Sequence, residues 1–198
     1  MVPLFGAGDR KAGAKLLDWP KEAARDRSSP VKYVALMHWS QIGQTLVLLT
    51  VANGAPVIAQ NVFGNRWSQP LDAGKFWHDG RPALGGAKTF RGVICSVVAT
   101  IIIAPVIGVS WTVGLGAGVA AMVGDLFSSF VKRRLGLNAS ERATGLDQVP
   151  ESLLPALVCG YQLELEWLDV MIVVSIFFVG EIALSRLLYK LRIRARPY

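Results

Sequence analysis

Of 198 residues, 52% are hydrophobic and 18% charged, and the mean hydropathy is +0.40; this excludes an ordinary soluble domain, in which about a quarter of residues are charged. The net charge of +7 does not point to nucleic acid, because the cations bunch at the ends of apolar segments instead of covering one polar face. The class that remains is a small all-α integral membrane protein with basic loops on one side of the bilayer.

Residues 1–32 carry seven Lys or Arg against four acids. Their opening, MVPLFGAGDRKAGAK, has no apolar run ahead of its charges and is not a cleavable signal peptide. Leu16, Leu17 and Trp19 would let this stretch lie along a membrane surface as an amphipathic helix. We therefore read 1–32 as a basic leader and 33–198 as the membrane-embedded domain.

A spanning helix needs about 20 mostly apolar residues. The first candidate is 34–62, with Asn53 and Pro56 expected to break its far end. Residues 92–124 form 33 positions without a charge, too many for one span; Pro105 and Gly108 offer a turn, and the second of the two resulting spans continues through Asp125 to Phe130. Residues 149–163 are short for a span and contain Pro150, Glu151 and Pro155. The last candidate, 167–189, is long enough despite Glu181, an intramembrane acid expected to pair with Arg186 or with another helix. Cys95 and Cys159 lie inside apolar segments without metal-ligand spacing and read as small packing residues.

Basic residues recur in the first loop (Arg66 to Arg91), the second loop (Lys132 to Arg142) and the tail (Arg186 to Arg196). If basic loops stay inside, even numbers of crossings separate them, so the short fourth segment must span as well. The expected fold is about five transmembrane helices whose two cytoplasmic loops form an active site. The leader resists this scheme, since a single crossing by the first segment would place its excess of cations outside; either the leader lies along a surface or the first segment does not fully cross.

The chemistry concentrates in GDLFSSFVKRRLGL, residues 124–137. Asp125, Ser128, Ser129 and Lys132 have the i, i+3, i+4, i+7 spacing of one helix face, with Arg133 close behind. A carboxylate two turns inside a span costs up to about 3 kcal/mol unless it is paired, solvated or bound to a cation. Neutralisation by Lys132, with 132–134 as a topological anchor, is the bland alternative. The first loop, LDAGKFWHDGRPALGGAKTFRG (71–92), adds Gly74, Gly80, Gly85 and Gly86, whose turns allow backbone N–H groups to converge on an anion, followed by Lys88, Thr89 and Arg91. It is not a P-loop, since Ala87 and Pro82 stand where that pattern requires glycine. DQVPES (147–152) supplies Asp147, a second carboxylate that could equally be a helix cap. Two carboxylates, a glycine-rich basic loop and further cations on one face suit a Mg²⁺-nucleotide.

The blocks ANGAPV (52–57), 71–92, GDLFSSFVKRRLG (124–136) and LDQ (146–148) together resemble the CDP-archaeol synthase family. That family belongs to the CTP-dependent lipid cytidylyltransferases, which include CDP-diacylglycerol synthase. The likeness covers about half the chain, from Ala52 to Glu151. It implies a five-helix membrane enzyme that couples CTP to a lipid phosphate with Mg²⁺ and releases pyrophosphate at the cytoplasmic side of the cell membrane. It also implies Asp125 and Asp147 as Mg²⁺ ligands. Lys88, Arg91, Lys132, Arg133 and Arg134 are then the phosphate-facing cations, Ser128, Ser129 and Thr89 hydroxyl donors, and Asp72, Asp79, Gly85 and Asn53 further metal or nucleotide contacts. This chain departs from the family at Asp72, Ala73, Gly74, where Asp-Gly-Gly is usual. Only the short Asp147-Gln148 pair stands where diacylglycerol enzymes carry a longer signature, which favours the archaeol-type branch. The partners expected are CTP, a membrane lipid phosphate and the bilayer, with a homodimer as an open question of assembly. The competing readings are a CTP-dependent lipid kinase and, from another class, a small transporter subunit in which Asp125 and Glu181 line an ion path.

Overall fold

The structure, a computed structural model, describes residues 38–137 and 145–190; the leader and most of the basic tail lie outside them. Among the described residues five helices follow one another: α1 (Trp39–Phe63), α2 (Phe90–Val106), α3 (Trp111–Arg134), α4 (Gln148–Leu163) and α5 (Trp167–Lys190). Among the described residues there is no strand; two isolated antiparallel bridges, Pro70 with Thr89 and Phe76 with Pro82, fold the first loop back on itself.

Among the described residues three helices are long and apolar enough to cross a membrane: α1, α3 and, over Trp167–Leu184, α5. Each begins at an exposed tryptophan, Trp39, Trp111 or Trp167, the residue that marks a membrane–water interface. With 17 and 16 residues, α2 and α4 extend about 25 Å, short of an average hydrocarbon core of about 30 Å. They pack on the long helices, α2 against α1 and α3, α4 against α3 and α5.

In lipid the apolar effect does not drive helices together, so close backbone approach does. A Cβ on Gly114 would overlap the Thr100 carbonyl of α2, and one on Gly118 the Thr100 hydroxyl. On the side facing α4, Gly116 lies against Val158 and Gln162, and Gly124 against the backbone of Pro150 and Glu151. The GxxxG spacing of 114 and 118 thus serves packing, as its pattern suggests. Small apolar residues fill the remaining core, including Ala52, Ala104, Ala117, Ala121, Ala156 and Cys159, all fully buried.

The turn after Pro105 falls where expected, and α3 runs one turn beyond Phe130, to Arg134. The expected break in α1 does not occur: the helix continues through Asn53, Gly54 and Pro56 to Phe63. Proline cannot donate to the carbonyl four residues earlier, here Ala52, and an orphaned acceptor is costly in a membrane. Ser96 of α2 supplies the missing donor, its hydroxyl lying 2.8 Å from the Ala52 oxygen in a buried contact. At the other end of the bundle His38 Nδ1 lies 2.9 Å from Asp169 Oδ2, joining the start of α1 to the start of α5. The first loop, the end of α3 and the start of α4 therefore share the end opposite these three tryptophans.

Candidate active site

The glycine-rich loop is built around one carboxylate. Asp72 Oδ2 accepts from the backbone amides of Gly85 at 2.8 Å and Leu84 at 3.0 Å, and Oδ1 from Gly74 at 3.0 Å. The converging N–H groups foreseen for a phosphate are thus taken by the loop's own aspartate. Burial pushes the Asp72 carboxyl up, but these amides outweigh it and hold the carboxyl below its ordinary value. Gly85 has φ +88°, a left-handed conformation that leaves room for the Arg133 side chain against its α-carbon.

Two arginines fasten this loop to the end of α3. Arg81 Nη1 donates to the Arg134 carbonyl at 2.7 Å, and Arg134 donates in return to Asp79 at 2.5 Å and to the Pro82 carbonyl. Slight desolvation raises the Asp79 carboxyl, while the Arg81 amide and the Arg134 guanidinium bring it below its usual value. Arg134 also lies 5.0 Å from the centre of the Phe130 ring, which meets Trp77 edge-on. Arg91 does similar work elsewhere. Its buried guanidinium donates to the carbonyls of Gly64, at 2.9 Å, and Arg66, and to the side chain of Gln60, capping the end of α1. Thr89 is the N-cap of α2, accepting from Gly92 N at 3.1 Å. Of the sequence-nominated residues, Asp72, Asp79, Thr89, Arg91 and Arg134 therefore shape the loop and its anchorage.

The others converge. Lys88 Nζ donates to both oxygens of Asp125 at 2.6 Å. Lys132 Nζ lies 2.9 Å from Oδ1 and 3.1 Å from Oδ2 of Asp147. Asp125 is thus neutralised from the loop, not by Lys132 on its own helix. Asp147 occupies the N-cap position of α4, yet its carboxylate makes no capping bond among the described residues and faces the lysine instead. Ser128 and Ser129, within the stripe, are buried, and Ser128 donates to the Asp125 carbonyl at 3.0 Å. Arg133 is buried and donates to the Leu137 carbonyl at 2.5 Å, with its Nε unpaired among the described residues. The Asn53 amide, on α1, is shielded from solvent with neither of its polar atoms bonded among the described residues.

One acid here was not singled out from the sequence. Glu151 lies within electrostatic reach of Asp125, Glu181, Lys88 and Asp147. Its spacing of four from Asp147 puts both on one face of α4, which is the signal that could have found it. Glu181, expected opposite Arg186, is one of the acids that Glu151 senses. Separately, a cavity of about 530 Å³ opens in the first loop, lined by Asp72, Lys75, Phe76, Trp77, His78 and Leu84 among others.

Among the described residues no group of three or more His, Cys, Asp or Glu is placed to hold a metal ion. The donor set still suits Mg²⁺, a hard cation held by one or two carboxylates with substrate phosphates completing its shell. Both oxygens of Asp125 are bonded by one cationic group, the Lys88 ammonium.

Apolar helices that carry lysine–carboxylate pairs at one end are the architecture of a membrane protein with a charged, polar site at one end of its bundle. Residues 106–198 match the family described as CarS-like CDP-archaeol synthase. A CDP-archaeol synthase from Sulfurisphaera tokodaii is 35% identical over 155 residues, covering 75% of this chain and 89% of that protein. One from Pyrobaculum calidifontis is 37% identical over 153 residues, covering 75% and 91%. A solved structure described as an intramembrane enzyme for archaeal membrane lipids biosynthesis superposes with a TM-score of 0.59 at 27% identity, over 72% of this chain and 90% of that one. The chain belongs to the CDP-archaeol synthase family and is a CTP-dependent cytidylyltransferase.

Proposed function

We propose that the enzyme transfers CMP from CTP to an archaeol-type lipid phosphate, 2,3-bis-O-geranylgeranylglycerol phosphate, giving CDP-lipid and pyrophosphate at the cytoplasmic face of the cell membrane. The observation that carries this reading is the pair of lysine–carboxylate contacts, Lys88 with Asp125 and Lys132 with Asp147, at the basic end of the bundle. An oxygen of the lipid phosphate attacks the α-phosphorus of CTP and the bond to the pyrophosphate oxygen breaks in line. The nucleophile is already an anion, so no protein base is required, in keeping with a chain that has two histidines. The barrier is charge repulsion and alignment, which fixed cations lower.

Asp125 and Asp147 would hold Mg²⁺, which supplies charge neutralisation on the phosphates. Lys88, Lys132 and Arg133 contact phosphate oxygens, and the Asn53 amide, unpaired among the described residues, offers a donor and an acceptor on α1. The arginine clasp keeps the loop that carries Lys88 over the end of α3.

The test is pyrophosphate release by the detergent-purified protein with CTP and Mg²⁺, comparing the geranylgeranyl ether phosphate, phosphatidic acid and no lipid. Release that requires the ether lipid supports the reading. Equal release with phosphatidic acid removes the chain preference, and CDP in place of pyrophosphate identifies a lipid kinase.

A further inference from the structure

Both carboxylates assigned above to the metal already carry an ammonium group. Lys88 reaches Asp125 from the first loop, and Lys132 reaches Asp147 across the second connection. Asp125 and Asp147 also lie within reach of a third acidic side chain, Glu151, so acidic groups gather at this end of α4. Without the lysines, like charges would face one another at the membrane end of the bundle, an arrangement that low dielectric makes expensive. The ammonium groups are therefore the counter-ions that keep the acids together.

An ammonium bonded to both oxygens of a carboxylate and a divalent cation on the same two oxygens exclude each other. A metal ion arriving alone must displace Lys88 from Asp125 with no phosphate to receive it. A metal ion arriving with a triphosphate brings that anion. Lysine suits the exchange, being a compact charge on a flexible stem.

We propose that Lys88 is a counter-ion gate: it holds the cation position on Asp125 in the nucleotide-free enzyme and passes to a polyphosphate oxygen when metal and nucleotide bind together. Divalent-cation binding is thereby coupled to nucleotide binding, and each tightens the other by the same factor. The inference rests on Asp125 being the metal ligand.

The test uses Mn²⁺ alone, without nucleotide or lipid, and reads free Mn²⁺ by electron paramagnetic resonance with the full-length protein in detergent. Lys88→Met is expected to bind Mn²⁺ at least tenfold more tightly than wild type, with Lys88→Gln shifting in the same direction. Adding Asp125→Asn to Lys88→Met removes the gain. Arg133→Met loses the same charge away from Asp125 and is expected to gain less than threefold, which separates displacement from a general rise in negative potential. Size-exclusion profiles matching wild type establish that the variants are folded. Equal Mn²⁺ affinity in wild type and both Lys88 variants, or an equal gain in Arg133→Met, overturns the gate. If Asp125→Asn still weakens Mn²⁺ binding in that case, the metal assignment stands without the gate; if it does not, both fall.

Discussion

Gly124 fixes how near the two carboxylate-bearing helices come, and replacing it with alanine measures that dependence. A Cβ at this position would overlap the Pro150 carbonyl oxygen and lie 2.6 Å from its carbon and 2.9 Å from Glu151 N. These are backbone atoms of the first turn of α4, so no rotamer change relieves the clash. Restoring ordinary carbon contacts requires α3 and α4 to part by about 1 Å. That movement carries Asp147 and Glu151 away from Asp125. A misplacement of about 1 Å can cost on the order of 10²-fold in rate, and overpacking costs about 1–3 kcal/mol of stability. Gly124→Ala should thus lower kcat for pyrophosphate release by one to two orders of magnitude, with a smaller change in KM for CTP and a lowered thermal midpoint. Gly43→Ala, on α1 with no atom within 4 Å of its new Cβ, is the control. It should be neutral or stabilising, by up to about 1 kcal/mol from helix propensity. Wild-type kcat in Gly124→Ala would refute the argument that this contact positions the site.

Asp125→Asn keeps the size of the side chain and removes its charge, so it should abolish turnover while the helices stay assembled; Mg²⁺-dependent activity in the variant would remove Asp125 from the metal role. Ser96→Ala leaves the Ala52 carbonyl beside Pro56 without its donor, and thermal denaturation in detergent should show a loss of about 1–2 kcal/mol; no loss would mean that the proline gap in α1 is satisfied otherwise. The Asp72 carboxyl is held below its ordinary value of 3.8. The loop order it provides should be complete above that value and be lost as pH falls through the lower folded one. Limited proteolysis of the loop between about pH 6 and about pH 3 would follow this, and Asp72→Asn should open the loop at every pH.

Residues whose role is set along one helix were legible from spacing. The stripe from Asp125 to Arg133, the packing glycines 114 and 118, and the turn after Pro105 all follow from the 3.6-residue period and backbone chemistry. Partners across elements were not legible. Spacing offered Lys132 as the neighbour of Asp125, whereas the ammonium that reaches it comes from Lys88, 37 positions earlier. The continuity of α1 through Pro56 depends on a hydroxyl from α2, which no property of ANGAPV reports. The loop amides do converge on an anion, as its glycines suggested, but the anion is Asp72, and a composition rich in Gly and Lys cannot distinguish an internal carboxylate from a bound phosphate.

The cations of this face divide by side-chain chemistry. Arg81, Arg91 and Arg134 donate to backbone carbonyls, to Gln60 or to the loop acid Asp79, and so hold α1, the first loop and α3 in register. A planar guanidinium with five fixed donors satisfies several acceptors at once and loses little freedom per bond, which suits a permanent joint. Lys88 and Lys132 instead meet the two carboxylates. A lysine makes no comparable fork, and its charge can move from one anion to another without dismantling the backbone around it. Arg133 stands between the groups, buried like Arg91 but with its Nε unpaired among the described residues. The division runs through the triple cation 132–134 as well. Three adjacent residues point to three tasks: Lys132 to the second carboxylate, Arg133 to the glycine turn at Gly85, and Arg134 to the loop that brings Lys88 to the first.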